Sequence, residues 1–158
     1  MANTQSMCTS FMSELMTATH NFGTAPVRAA STADTFKAAL YLASATINAS
    51  TTAYTATGEV TSANYTAGGV AVTNGTSPLS TNASATAGVA YWTPSASLQW
   101  TALTITTAFD SLLLYNSTQG DKAVSVFTFG SQTISAGTFT LTMPSNTTTT
   151  ALLRLSTT

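Results

Sequence analysis

"LLLYNSTQGDKAVSVF", residues 112–127, decides the fold. Two apolar runs flank a polar turn that holds Asn116, Gly120 and Asp121. Turn-forming residues bracketed this way read as a β-hairpin. Immediately upstream, residues 98–107 and 111–115 read as strands, and downstream so do 123–129 and 138–143. Threonine, valine, phenylalanine and tyrosine dominate all four, as a pleated, half-buried surface prefers. The segment "FGSQTISAGTFTLTMP", residues 129–144, repeats the idea: Gly130 and Gly137 bracket a second expected connection, and Pro144 closes the strand after Met143.

Further out, "TFKAALYLA", residues 35–43, alternates Phe36, Ala38, Leu40 and Leu42 with Lys37, Ala39 and Tyr41, a period of two. Residues 69–73, 89–92 and 151–155 complete a set of short strands. Spaced in this way they predict a mainly β chain, an antiparallel β-sandwich or barrel-like domain over residues 34–158. Residues 74–88, poor in bulky side chains, are expected to form a long exposed loop, and residues 145–150 a shorter one. Tyr54 and Tyr65 open two similar stretches, "YTATGEV" and "YTAGGVAV". Two copies are too few for a solenoid, so they read as two similar turns.

The N-terminal part differs. In residues 9–22, Phe11, Met12, Leu15, Met16 and Thr19 fall on one helical stripe, with Thr9 or Ser10 as cap and Glu14 near the positive end of the dipole. Gly23 is a natural stop. Residues 1–33 are therefore expected to be an N-terminal α-helix and arm.

Composition narrows function. Of the 158 residues only 6% are charged, against roughly 25% in an ordinary globular protein, and the formal net charge is −1. There is no basic field for phosphate or acidic lipid, so neither nucleic acid nor membrane is an expected partner. No apolar run approaches the ~18 residues of a membrane helix, and the N-terminus lacks the basic-then-apolar pattern of a secretory signal, so export by the usual route is not expected. Cys8 is the single cysteine, which excludes an intramolecular disulfide framework and any multi-cysteine metal site. Residues 51–72 carry one formal charge, Glu59. A surface so poor in charge has weak protection against self-association, and it suits a chain that works covered, inside an assembly.

Chemistry is hard to find. His20 is the sole histidine, twelve residues after Cys8, and its expected role is an interaction with a helix-end dipole. The acids Glu14, Asp34, Glu59, Asp110 and Asp121 are scattered, and no pair is marked as a glycosidase couple. Asp110 and Asp121 read as strand-edge and turn residues. No nucleophile elbow, phosphate loop, dinucleotide glycine pattern, zinc helix or calcium loop occurs, so neither an enzyme nor a cofactor or metal is expected. Six N-x-S/T tripeptides, at Asn48, Asn64, Asn74, Asn82, Asn116 and Asn146, reflect the abundance of serine and threonine. Tyr54, Tyr65, Tyr91, Trp92 and Trp100 could make a sugar-stacking platform, but their strand-like spacing favours core or interface packing.

Taken in order, "MANTQSMCTSFMSELMTATHNF", "DTFKAALYLASATINASTTAYTATGEV", "YTAGGVAV", the hairpin and "AGTFTLTMPSN…ALLRL" resemble a family of small virion structural proteins of tailed bacteriophages, across nearly the whole chain. The pair "TTAYT-x-T-x-EV" and "YTAGG" and the closing strands carry most of the likeness. Two places depart from the family's pattern: the added "APVRAAS" before Asp34, and "TAFDSLLLYN", which lacks an arginine-glycine ahead of the hairpin. The resemblance implies a virion component, assembled in the host cytoplasm. A capsid decoration (cement) protein is the preferred role, with the major capsid protein and copies of itself as partners. The alternatives are a tail or connector structural component, or a carbohydrate-binding surface module using the Tyr91–Trp92 region. The residues expected to make contacts are Phe11, Leu15 and Met16, together with Tyr54, Glu59 and Tyr65.

Overall fold

Hydrogen-bonded strand ladders organise the chain. A computed structural model describes residues 3–8, 11, 15, 19–23, 33–75, 77–81 and 88–156. The strands are β1 (Ser6–Met7), β2 (Phe36–Leu42), β3 (Val70–Val72), β4 (Leu79–Ser80), β5 (Val89–Trp92), β6 (Leu98–Asn116), β7 (Lys122–Leu141) and β8 (Leu153–Ser156). They form a five-stranded sheet of order β1-β7-β6-β2-β3 and a three-stranded sheet of order β4-β5-β8, with every pairing antiparallel. The chain is thus mainly β with antiparallel sheets, as its sequence predicts. The helix expected over residues 9–22 falls mostly on residues outside the described set, Met12, Glu14 and Met16 among them.

The hairpin at residues 112–127 is present. Its turn runs through Gly120 and Asp121, both at positive φ, the conformation that glycine and aspartate tolerate best. Its strands, however, continue far beyond the expected ends. Residues 98–107 and 111–115 join into β6, and 123–129 and 138–143 join into β7, paired from Asn116↔Lys122 out to Leu98↔Leu141. The second connection expected between Gly130 and Gly137 does not form. Residues 129–141 already have a partner in the far half of β6, so Gly130 (φ 79) and Ala136 (φ 49) bend a strand where a turn would otherwise reverse it.

Those bends matter. Four register shifts lie between Trp100 and Ser111, and Ala102 also takes a positive φ. Phe139 pairs with Trp100, which is nine residues along β6 from Phe109, about 30 Å in a straight strand. Yet the rings of Phe109 and Phe139 are 5.1 Å apart, and Phe139 also lies 5.2 Å from Phe129. The hairpin therefore folds back over itself, and bulges with left-handed residues supply the curvature.

β2 is covered on both faces. Phe36, Ala38 and Leu40 on one side and Ala39 and Tyr41 on the other are all buried. The first side meets Trp92 of β5 through Phe22 and Phe36. The second lies under residues 51–69: this loop pairs Ala53 with Lys122 at one end and Glu59 with Tyr41 at the other. The two Tyr-led stretches do form similar turns, closed by Glu59 N–H to Ala56 O at 3.2 Å and Gly69 N–H to Thr66 O at 2.9 Å. In the expected loop, residues 77–80 are exposed, with β4 inside it. β1 and β4, two residues each, are too short to leave a periodic trace in the sequence.

Candidate functional site

Glu59 is 7% exposed, in a chain with almost no charge to spare. Its Oε2 accepts from Tyr54 Oη–H at 2.6 Å. Its Oε1 accepts from Tyr65 Oη–H at 2.8 Å and from the Gly68 N–H at 2.7 Å. The relay continues outward. The Leu40 N–H donates to Tyr65 Oη at 2.9 Å, and Tyr115 Oη–H donates to Gly68 O at 2.8 Å, while Tyr54 stacks on Tyr115 with centroids 4.9 Å apart. Tyr41 Oη–H donates to Thr55 O at 2.5 Å and holds the start of the same loop. A buried carboxylate is costly unless its lone pairs are used; here two phenols and a backbone N–H use them.

Gly69 makes the wiring possible. Its φ is +73, and a Cβ there would lie 1.8 Å from Ala38 O, so a side chain cannot fit where the loop meets β2. The phenols keep their protons: each donates, and Tyr65 and Tyr41 also accept, from the Leu40 and Thr55 N–H groups. Burial, with the Glu59 carboxylate adding to it, pushes Tyr54 up to about 12. Burial also raises Tyr41, Tyr65 and Tyr115 well above the ordinary tyrosine value. None of these four is ionised near neutrality, and the cluster is a structural clamp.

A second polar knot sits on the opposite face of the sheet. Asp34 Oδ2 accepts from the Asn21 N–H at 2.9 Å and from Asn116 Nδ2 at 2.9 Å, and Oδ1 accepts from Gln119 Nε2 at 3.0 Å. Asn116, 0% exposed, also reaches His20 Nδ1 at 3.1 Å. His20 is itself buried, stacked on Phe22 and Phe36 and edge-on to Phe11. It is a core histidine bound to a strand amide; the helix whose end it is expected to serve lies mostly outside the described residues. Asn116 has no room for a glycan, since both ends of its amide are hydrogen-bonded inside the fold.

The residues expected to make contacts separate into two groups. Tyr54, Glu59 and Tyr65 meet in one cluster, with Glu59 and Tyr65 buried and Tyr54 half-buried. Phe11, 2% exposed, and half-buried Leu15 lie elsewhere, lining an apolar cavity of about 110 Å³ with Phe22, Trp92 and Leu153. Met16 lies outside the described residues. Trp92 and Trp100 are 2% and 4% exposed, so neither ring offers a surface platform, and Tyr91 is half-buried. Sequence reasoning missed Tyr41, Tyr115, Asn116 and the Gly68 N–H. A signal did exist: "LLLY" at residues 112–115 has no polar face, and a strand apolar on both sides is covered on both sides.

Asp121 and Arg154 are exposed, but the far half of the hairpin presents a neutral surface. Residues 98–109 and 129–141 contain no Asp, Glu, Lys or Arg. Their outward face shows Gln99, Thr101, Thr104, Thr106, Gln132 and Thr138, all exposed. β6 pairs with β2 only from Phe109 onward, and β7 pairs with β1 only at Ser125 and Val126. Among the described residues, the far half of the hairpin thus has two outer edges. Ser62 Oγ–H caps Thr104 O at 3.0 Å and Asn64 Nδ2 caps Ala102 O at 2.8 Å. On the small sheet, Leu79 and Leu155 are 50% and 41% exposed.

Among the described residues, no three His, Cys, Asp or Glu side chains gather as a metal site would require. No helix formed by the described residues is long and apolar enough to cross a membrane. In comparisons with known proteins, the chain matches no family model, no curated protein and no solved structure.

Proposed function

We propose that this chain is a structural component of a tailed-bacteriophage particle, and that its place is on the capsid as a decoration protein contacting the major capsid protein and copies of itself. The single observation that supports it most is the far half of the β6–β7 hairpin: strand edges with no lysine, no proline and no inward charge to discourage pairing. Proteins that live alone protect such edges; here the β6 edge is bulged and partly capped by Ser62 and Asn64, but charge guards neither edge. A chain that leaves them neutral is suited to having them covered, with hydrogen bonds and apolar contact in place of ion pairs. We read the hairpin folded back over itself, with the small sheet meeting Phe36 of β2 through Trp92, as sandwich-like layering that gives this face a rigid backing. The resemblance to small virion proteins points the same way.

Protein quantification of purified particles tests the reading. A decoration protein approaches the abundance of the capsid subunit. A handful of copies would move it to the tail or connector, and its absence from intact particles would remove the virion role altogether. The clamp around Glu59 gives the contact face stiffness in this reading, and the neutral residues around it do the touching.

A further inference from the structure

The orientation of one amide fixes the state of one histidine. Asn116 Oδ1 accepts from the Thr118 N–H at 3.1 Å and the Gln119 N–H at 3.2 Å, so that end of the side chain is the oxygen. Its Nδ2 then carries both hydrogens, one directed to Asp34 Oδ2 at 2.9 Å and the other to His20 Nδ1 at 3.1 Å. His20 Nδ1 is therefore an acceptor, and the ring is the neutral Nε2–H tautomer. A protonated imidazole donates from both nitrogens. It would set an N–H against an N–H, and the bond to Asn116 could not survive.

The surroundings oppose that proton. Phe11, Phe22 and Phe36 present their rings to His20. Among the described residues, Asp34 is bonded into the same knot and Lys122 flanks it along the ladder. Asp34, on the approach to β2, already accepts from Asn21, Asn116 and Gln119, and the Asn116 amide bonds both the carboxylate and the imidazole ring. Lys122 of β7 lies opposite Asn116 in the ladder; the Asp34 carboxylate pulls toward the imidazolium, and burial among the rings and the Asn116 donor pull against it. The same bonds tie residues 20 and 21 to residues 34, 116 and 119, so His20 and Asn21 fasten this stretch to the β domain, while residues 3–8 are held separately by the pairing of β1 with β7.

We propose that His20 is a neutral pin which holds residues 20–22 on the sheet and lets go on acidification, uncovering the apolar ground beneath Phe22. That ground is Phe36, Trp92 and the cavity of about 110 Å³ that Phe22 itself lines. The device is independent of the virion reading: it makes acid a trigger for a new apolar surface whatever the chain is attached to.

NMR of the histidine ring, with amide exchange at Asn21, tests it on the intact chain. At alkaline pH the ring should show the Nε2–H pattern. On acidification it should titrate below the ordinary imidazole midpoint of about 6.5, and the Asn21 amide should lose protection by about tenfold or more once the ring is charged. In His20→Gln the side-chain carbonyl can take the Asn116 donor without titrating, so the same amide should stay protected across that range. An Nδ1–H tautomer, a midpoint at or above the ordinary value, or the same acid loss in His20→Gln would each overturn the proposal. If the variant does not fold, the wild-type tautomer and midpoint decide alone.

Discussion

Glu59 and Asp34 are two buried carboxylates on opposite faces of one sheet, each satisfied by neutral donors, yet they are wired differently. The side chains and N–H that hold Glu59 come from five, six and nine residues away in sequence. Those that hold Asp34 come from 13, 82 and 85 residues away. Glu59 therefore shapes one loop, whereas Asp34 joins the N-terminal segment, the approach to β2 and the hairpin turn. The donors differ too. Phenols keep their protons far into the alkaline range, but the amide at Asn116 is shared with a neutral imidazole acceptor, the kind of group that acid can charge. A chain with so few charges has made one acid a fixed clamp and placed the other beside a group that can switch.

The largest effect should come from cutting the long-range knot. Asn116→Ala removes four hydrogen bonds at a site with 0% exposure and leaves Asp34 short of a partner, and truncations of this kind cost about 3–5 kcal/mol. Because the bonds span the chain, the loss should appear as a lower global midpoint in denaturant. Glu59→Ala is next, at about 3 kcal/mol, since Tyr54, Tyr65 and the Gly68 N–H all lose their acceptor. Here the damage should be local. Amide exchange at Gly68 and Val60 should speed up more than exchange in β7, and equal acceleration in both places would erase the distinction between clamp and knot.

These two sites also show where sequence reading stops. The hairpin at residues 112–127 is legible because its turn chemistry and apolar runs are adjacent, and β2 because alternation survives over seven residues. The fold-back of β6 and β7 is not, because Ala102 and Ala136 carry no turn signal and Gly130 resembles a loop glycine until its distant partner strand is known. Glu59 was legible as the one charge in a neutral stretch and Tyr54 and Tyr65 as its companions, but the pattern suggested a surface. Burial followed from hydroxyls reaching the carboxylate, and that depends on where Gly69 lets the backbone pass. The link between His20 and Asn116 spans 96 residues and has no local trace at all.

Within the clamp, Tyr65 should matter more than Tyr54. Tyr65 is buried and its hydroxyl both receives the Leu40 N–H and donates to Glu59, so Tyr65→Phe should cost about 2 kcal/mol in a denaturant titration. Val60 N–H to Leu40 O should weaken with it, since both bonds hold the same edge of β2.

The mildest probe is alkali, and it reads the clamp without any mutation. Tyr54, pushed up to about 12, and Tyr41, Tyr65 and Tyr115, raised as well, keep their protons in the fold at pH values where unfolded tyrosines, near 10, have lost theirs. The folded state then binds more protons than the unfolded one, so the stability these groups contribute is intact below about pH 10 and declines as pH climbs through 10 toward 12. Tyrosinate absorbance should accordingly appear together with unfolding and not before it, for these four of the five tyrosines. Tyr54→Phe removes one of the four, so the alkaline decline should become shallower by about a quarter, while stability at neutral pH falls by only about 1 kcal/mol. A decline unchanged by that substitution would mean Tyr54 ionises freely in the native state, and the clamp would then end at Tyr65.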